Sequence, residues 1–167
     1  MTSTDVSVDD FNALPEAEAT RRLLTCLAVP RWATEVAGGR PYPDLAALSA
    51  RAGAAAAELS DAELASALDR HPRIGERAGA GHDAEFSRKE QSAVDQNDAA
   101  TIAALADGNQ QYEKRFDRVF LIRAAGRSSA EILAELRRRL ENDDQAERAE
   151  TVAQLREIAL HRLRDVL

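Results

Sequence analysis

Ser60-Asp61-Ala62-Glu63-Leu64-Ala65-Ser66-Ala67-Leu68-Asp69-Arg70-His71-Pro72 is the stretch whose reading decides the fold. Ser60 and Glu63 have capping-box spacing: the serine hydroxyl takes the glutamate's backbone N–H, and the glutamate side chain reaches back to the serine's. Leu59, Leu64 and Leu68 share one face at helical period, which predicts a helix over about 61–70. Pro72 lacks an N–H, and its ring disfavours helical backbone at His71, so the helix stops there and leaves an imidazole at its end.

The same reading extends in both directions. Upstream, Ser7 before Asp9 and Asp10 reads as the cap of a short helix, and Pro15 as the first residue of the next, with Leu14, Leu23, Leu24 and Leu27 as its buried stripe. Arg31 to Ala37 forms a short helix closed by Gly38-Gly39, with Trp32, the only tryptophan, as a core anchor. After the turn Arg40-Pro41-Tyr42-Pro43, Asp44 caps a helix through Leu45 and Leu48 into the alanines 54–57.

Downstream, residues 73–83, with Gly75, Gly79 and Gly81, read as a surface loop. Helical period returns over about 84–95 and again over about 98–115, where Ile102, Leu105 and Tyr112 point inward. Val119-Phe120-Leu121-Ile122 is the longest run of large apolar residues. It fits a short strand or a buried helical turn, and the turn is favoured because a lone strand leaves its backbone groups without partners. Ser128 or Ser129 caps a helix bearing Ile132, Leu133, Leu136 and Leu140. A last helix, about 144–163, carries Val152, Leu155, Ile158, Ala159 and Leu163 on one stripe, so the two form an αα-hairpin.

Composition agrees. The chain has 167 residues, rich in Ala, Leu, Glu and Arg, and only 4% aromatic. These numbers predict an all-α, single-domain helical bundle of about eight helices over 1–167, with residues 1–6 as a flexible lead. The net charge of −7 disfavours nucleic acid and anionic membranes as partners, although gathered arginines leave a small anionic molecule open. Cys26 has no second cysteine to pair with and reads as a small buried thiol. The N-terminal residues have neither a basic n-region nor an apolar h-region, and no apolar run is long enough to span a bilayer, so a cytoplasmic location is expected.

The chemistry-bearing residues lie around the opening stretch. His71 gives and takes protons near neutrality. Ser87, Glu90 and Gln91 stand at i, i+3 and i+4, so they share one helix face and can address one ligand together. If that face meets His71, Glu90 can hold the imidazole's tautomer and raise its pKa; a solvated charged face is the plainer alternative. His71, His82, Asp83 and Glu85 lack the fixed spacing of a His-Glu-x-x-His site, His161 sits among arginines as a surface or interface residue, and no phosphate-binding glycine loop or nucleophile elbow is present. Read this way, the residues support acid–base chemistry without naming a reaction.

His71-Pro72-Arg73-Ile74-Gly75-Glu76, Ser87-Arg88-Lys89-Glu90-Gln91, and Tyr112-Glu113-Lys114-Arg115-Phe116 leading to Phe120-Leu121-Ile122-Arg123-Ala124-Ala125-Gly126 together closely resemble the OHCU decarboxylases. These enzymes convert 2-oxo-4-hydroxy-4-carboxy-5-ureidoimidazoline to (S)-allantoin and carbon dioxide in urate degradation. The likeness runs from Phe11 to the final helix and includes Trp32 and the Arg40-Pro41-Tyr42 turn. It implies an all-α fold, a homodimer, a small-molecule substrate and no metal or organic cofactor. It further implies His71 and Glu90 as catalytic residues, and Pro72, Ser87, Arg88, Lys89, Glu90, Gln91, Phe120, Leu121, Ile122, Arg123 and Ala124 as the substrate-binding set, the last five through backbone groups.

Two departures stand out. Asp117 replaces the family's usual glycine, where a positive φ would strain a residue with a Cβ. Ala125 stands where some relatives have arginine, which leaves Arg123 or Arg127 to meet the substrate carboxylate. A non-catalytic helical interaction module and a decarboxylase of a related ureido acid are the competing readings.

Overall fold

A computed structural model describes residues 3–71 and 99–167, with side chains from Val8 onward. The loop at 73–83, the helix expected over 84–95 and the Gln96-Asn97-Asp98 junction lie outside the described residues. Among the described residues the regular structure is eight helices: α1 Ser3–Ala13, α2 Glu16–Cys26, α3 Pro30–Gly38, α4 Leu45–Ala56, α5 Asp61–Leu68, α6 Ala99–Phe116, α7 Ser129–Arg139 and α8 Asp144–Val166. No strand occurs among them, and the all-α expectation holds.

The caps follow local chemistry. Ser60 Oγ accepts the Glu63 N–H at 3.1 Å and Glu63 Oε1 accepts the Ser60 N–H at 3.0 Å, a complete capping box at the start of α5. Asp44 Oδ1 accepts from Ala47 N–H at 2.8 Å before α4, and Ser128 Oγ from Glu131 N–H at 3.2 Å before α7. Pro15 is the N-cap of α2, one position earlier than expected, with φ −55° and ψ 146°. Ser7 is not a cap: α1 begins at Ser3 and runs through it.

The chain divides into two units, residues 1–67 with 155–167, and residues 68–154. In the first unit, α2 packs on α3 and α3 on α4. Their buried faces carry Ala19, Leu23 and Cys26, then Trp32, Ala33 and Val36, then Leu48, Ala52, Ala55 and Ala56. Trp32 is fully buried and its indole N–H donates to Ala52 O at 2.9 Å, so its large apolar area is gained without an orphaned donor. The Arg40-Pro41 peptide is cis. Here the Arg40 guanidinium donates to Phe11 O at 3.0 Å and Leu14 O at 2.7 Å, while the Asn12 amide exchanges two 2.8 Å bonds with the Tyr42 backbone.

In the second unit, α6 packs on α7 around Leu105, Tyr112, Phe116, Phe120, Ile122, Ala124, Ile132 and Leu136. Gly108 permits the close approach: a Cβ there would lie 2.6 Å from Leu136 Cδ2. The inward assignments made from period hold for Leu105 and Tyr112 in α6, and in α8 for Val152, Leu155, Ile158, Ala159 and Leu163. The hairpin of α7 and α8 is cross-linked by Arg138, which donates to Glu135 on its own helix and to Glu150 Oε1 at 2.6 Å on the next.

Candidate active site

His71 follows α5 by three residues. Its backbone N–H donates to Leu68 O at 3.0 Å, and the residue is half-buried. α5 thus ends two residues short of the expected end at about 70, and His71 stands in the turn that follows it. Pro72, Ser87, Arg88, Lys89, Glu90 and Gln91 lie outside the described residues, as do His82, Asp83 and Glu85. Among the described residues, no three metal-ligating side chains gather in one place.

Phe120, Leu121, Ile122, Arg123 and Ala124 fall in the same unit as His71. Phe120, Leu121, Ile122 and Ala124 are buried and Arg123 is half-buried, but the backbone is neither strand nor helix. The expected helical turn is therefore corrected to an irregular, buried stretch. Two left-handed residues bracket it, Asp117 at φ 54° and Gly126 at φ 77°. Asp117 occupies the position after α6, its N–H donating to Glu113 O at 2.9 Å in the single-bond left-handed cap. The suspected positive φ at this position is real, carried by a residue with a Cβ.

A buried irregular backbone needs partners for its polar groups. Side chains supply some of them. Arg139, at the end of α7, donates from Nη1 to Leu121 O at 2.6 Å, and its guanidinium lies 4.7 Å from the Phe120 ring centroid. Gln154 Oε1 of α8 accepts the Arg123 N–H at 2.8 Å. Arg127 donates through Nε to Arg123 O at 2.9 Å and through its backbone N–H to Ala124 O at 3.1 Å. The expectation that the backbone groups of 120–124 serve the substrate thus narrows, because Leu121 C=O, Arg123 N–H, Arg123 C=O and Ala124 C=O are bonded within the chain.

Behind Arg139 lies a polar network. Glu147 Oε1 accepts from Arg139 Nε at 2.8 Å, from Arg139 Nη2, and from the Tyr112 hydroxyl at 2.6 Å, and Glu147 Oε2 accepts from Asn142 Nδ2 at 3.0 Å. Arg139 Nη2 also donates to Thr151 Oγ1 at 3.2 Å. Arg139, Glu147, Thr151 and Tyr112 are all essentially inaccessible to solvent. Burial, and next the bond to Glu147, raise the Tyr112 hydroxyl well above the ordinary tyrosine range. The sequence reading placed Tyr112 inward but missed Arg139 and Glu147. The only signal was a buried phenol needing a partner. Arg162, in α8 and the first unit, is a further buried cation that period analysis did not distinguish from its exposed neighbours.

The family model described as OHCU decarboxylase matches residues 12–164. The uric acid degradation bifunctional protein TTL of Arabidopsis thaliana is 38% identical over 80 residues, a stretch that covers 46% of this chain and 25% of that protein. The chain thus matches only about a quarter of that curated relative's length. Two solved structures share the fold. One is an OHCU decarboxylase crystallised in the presence of (S)-allantoin, with TM-score 0.70 and 23% identity over 84% of this chain and 92% of that one. The other is an (S)-allantoin synthase, with TM-score 0.72 and 17% identity over 96% of this chain and 53% of that one.

Proposed function

This chain belongs to the OHCU decarboxylase family, and on that premise we propose that it decarboxylates 2-oxo-4-hydroxy-4-carboxy-5-ureidoimidazoline to (S)-allantoin as a step of urate degradation. The observation that carries the proposal is the family match from residue 12 to residue 164, which runs through both units of the chain. It brings with it the carboxy-lyase assignment and a small anionic substrate.

The reaction needs no electron sink beyond the substrate's own C=N bond. The carboxylate leaves from C4, beside a ring C5=N bond. The electron pair of the broken C–C bond moves into C4–C5, and the C=N pair moves onto the ring nitrogen, which takes a proton. The 4-hydroxyl then gives up its proton to become the carbonyl, the ring nitrogen keeps its own, and C5 gains one on a single face. In this reading His71 exchanges the hydroxyl proton, and Glu90 orients His71 or delivers the proton to C5. Ser87 and Gln91 hydrogen-bond the ureido and ring amides, with Pro72, Arg88 and Lys89 beside them and residues 120–124 completing the pocket. Arg123 or Arg127 faces the departing carboxylate. The active form is a homodimer, in which each chain acts as one catalytic domain.

Substrate made in place by oxidising urate with uricase and opening the product with hydroxyisourate hydrolase tests this directly. Circular dichroism is expected to show (S)-allantoin appearing faster than spontaneous decay, which yields racemate. His71→Asn should lower turnover at least about 100-fold, the usual worth of a positioned acid–base group. Absence of the chiral signal with the wild-type chain refutes the decarboxylase reading. Normal turnover in a folded His71→Asn protein refutes the role of the histidine alone.

A further inference from the structure

The segment from Phe120 to Ala124 is held by side chains of two helices, and the planarity of the peptide group gives that hold a direction. In a trans peptide the C=O and the N–H point oppositely. Leu121 C=O is taken by Arg139 at 2.6 Å, so the N–H of the same peptide, that of Ile122, points away from Arg139. Arg123 N–H is taken by Gln154 at 2.8 Å, so the C=O of that peptide, again of Ile122, points away from Gln154. One donor and one acceptor on a single residue are thereby aimed by two fixed side chains. Ile122 is only 2% exposed, and neither of these groups has a hydrogen-bond partner among the described residues. Buried backbone groups are nearly always paired, and a ureido or ring amide offers the matching acceptor and donor.

We propose that Gln154 and Arg139 are positioning residues, which aim the N–H and C=O of Ile122 at an amide group of the substrate. The inference rests on the decarboxylase reading and adds to it two residues that touch no reacting atom. Arg139 is itself fixed by Glu147 and stacks over Phe120, so it acts as the rigid end of the device. Gln154 is half-buried, and its removal leaves the buried ion pair intact. It is therefore the residue to change.

Wild-type turnover is measured first, in the coupled circular dichroism assay. Gln154→Met keeps the size of the side chain and removes the acceptor; it is expected to raise KM about tenfold with kcat within about threefold, the scale of one lost positioning hydrogen bond. The amide of Arg123 should exchange with solvent faster in this variant, and Gln154→Glu, which restores an acceptor, should recover the wild-type KM. A loss confined to kcat would mean fewer folded molecules and would overturn the inference, as would a wild-type KM in Gln154→Met or failure of Gln154→Glu to recover it. A measurement on the unaltered chain tests the same point without relying on a variant. Titration with (S)-allantoin should shift the Ile122 amide resonance, and an Ile122 amide unmoved at concentrations that inhibit turnover overturns the proposal. A wild-type chain that does not accelerate the reaction refutes the functional reading itself, and is recognised before any variant is made.

Discussion

Asp117 holds a left-handed backbone, φ 54°, at the exit of α6. Such a conformation brings Cβ close to the following carbonyl and costs an ordinary residue roughly 1–2 kcal/mol, less for Asp and Asn, nothing for Gly. Glycine gains in the folded state and loses through the extra freedom of the unfolded chain, so Asp117→Gly should be neutral or stabilising by about 0.5 kcal/mol. Asp117→Val, with a branched Cβ, should cost about 1–2 kcal/mol. Urea melts of the two variants check this, and equal stability for glycine and valine would show that the left-handed cap is not held in solution. The residue matters beyond its own strain because the chain turns there from α6 into the segment that runs to Ala124.

Among the elements, α6, α7 and α8 meet through the Tyr112, Arg139 and Glu147 side chains. Breaking a buried ion pair on one side leaves an uncompensated charge and costs about 3–5 kcal/mol, so Arg139 and Glu147 tolerate little change. Tyr112→Phe is milder, since Glu147 keeps its other donors, and should cost about 1–2 kcal/mol at neutral pH. Its pH dependence has a definite sign. The folded-state pKa of the hydroxyl is raised, by burial first and then by Glu147. Its contribution is therefore complete below the unfolded value, about 10, and is lost as pH rises above it. Melting temperatures should fall more steeply above about pH 10 in the wild type than in Tyr112→Phe. Parallel alkaline curves would contradict the buried hydrogen bond.

For the whole molecule, the family match spans both units, and α8 contributes residues 144–154 to one and the remainder to the other. The proposed dimer brings together two chains of net charge −7. Their repulsion is screened over about 10 Å at 0.1 M salt and reaches about 30 Å at 0.01 M. Light scattering should give twice the 18.2 kDa chain mass at physiological salt, with dissociation favoured as salt is lowered. A mass of one chain across the concentration range of the assay would remove the dimer from the functional reading.

The sequence by itself determined where most of the described helices lie and several of their starts. The Ser60–Glu63 box and the Asp44 cap depend on residues three apart, and periodic leucines marked faces that became buried. It also carried the family likeness, because ordered motifs survive as text, and through that likeness it marked Asp117 as a place where a positive φ would strain a residue with a Cβ. What only the tertiary structure decided is how the apolar run 119–122 is held. Its length and composition fit a strand or a turn, yet it takes neither form, since Arg139, 18 residues from Leu121, and Gln154, 31 residues from Arg123, bond its backbone. Tyr112 likewise meets Glu147 across 35 residues. No local period encodes such pairings: each exists because helices pack side by side and a buried polar group must find whatever partner that packing brings within reach.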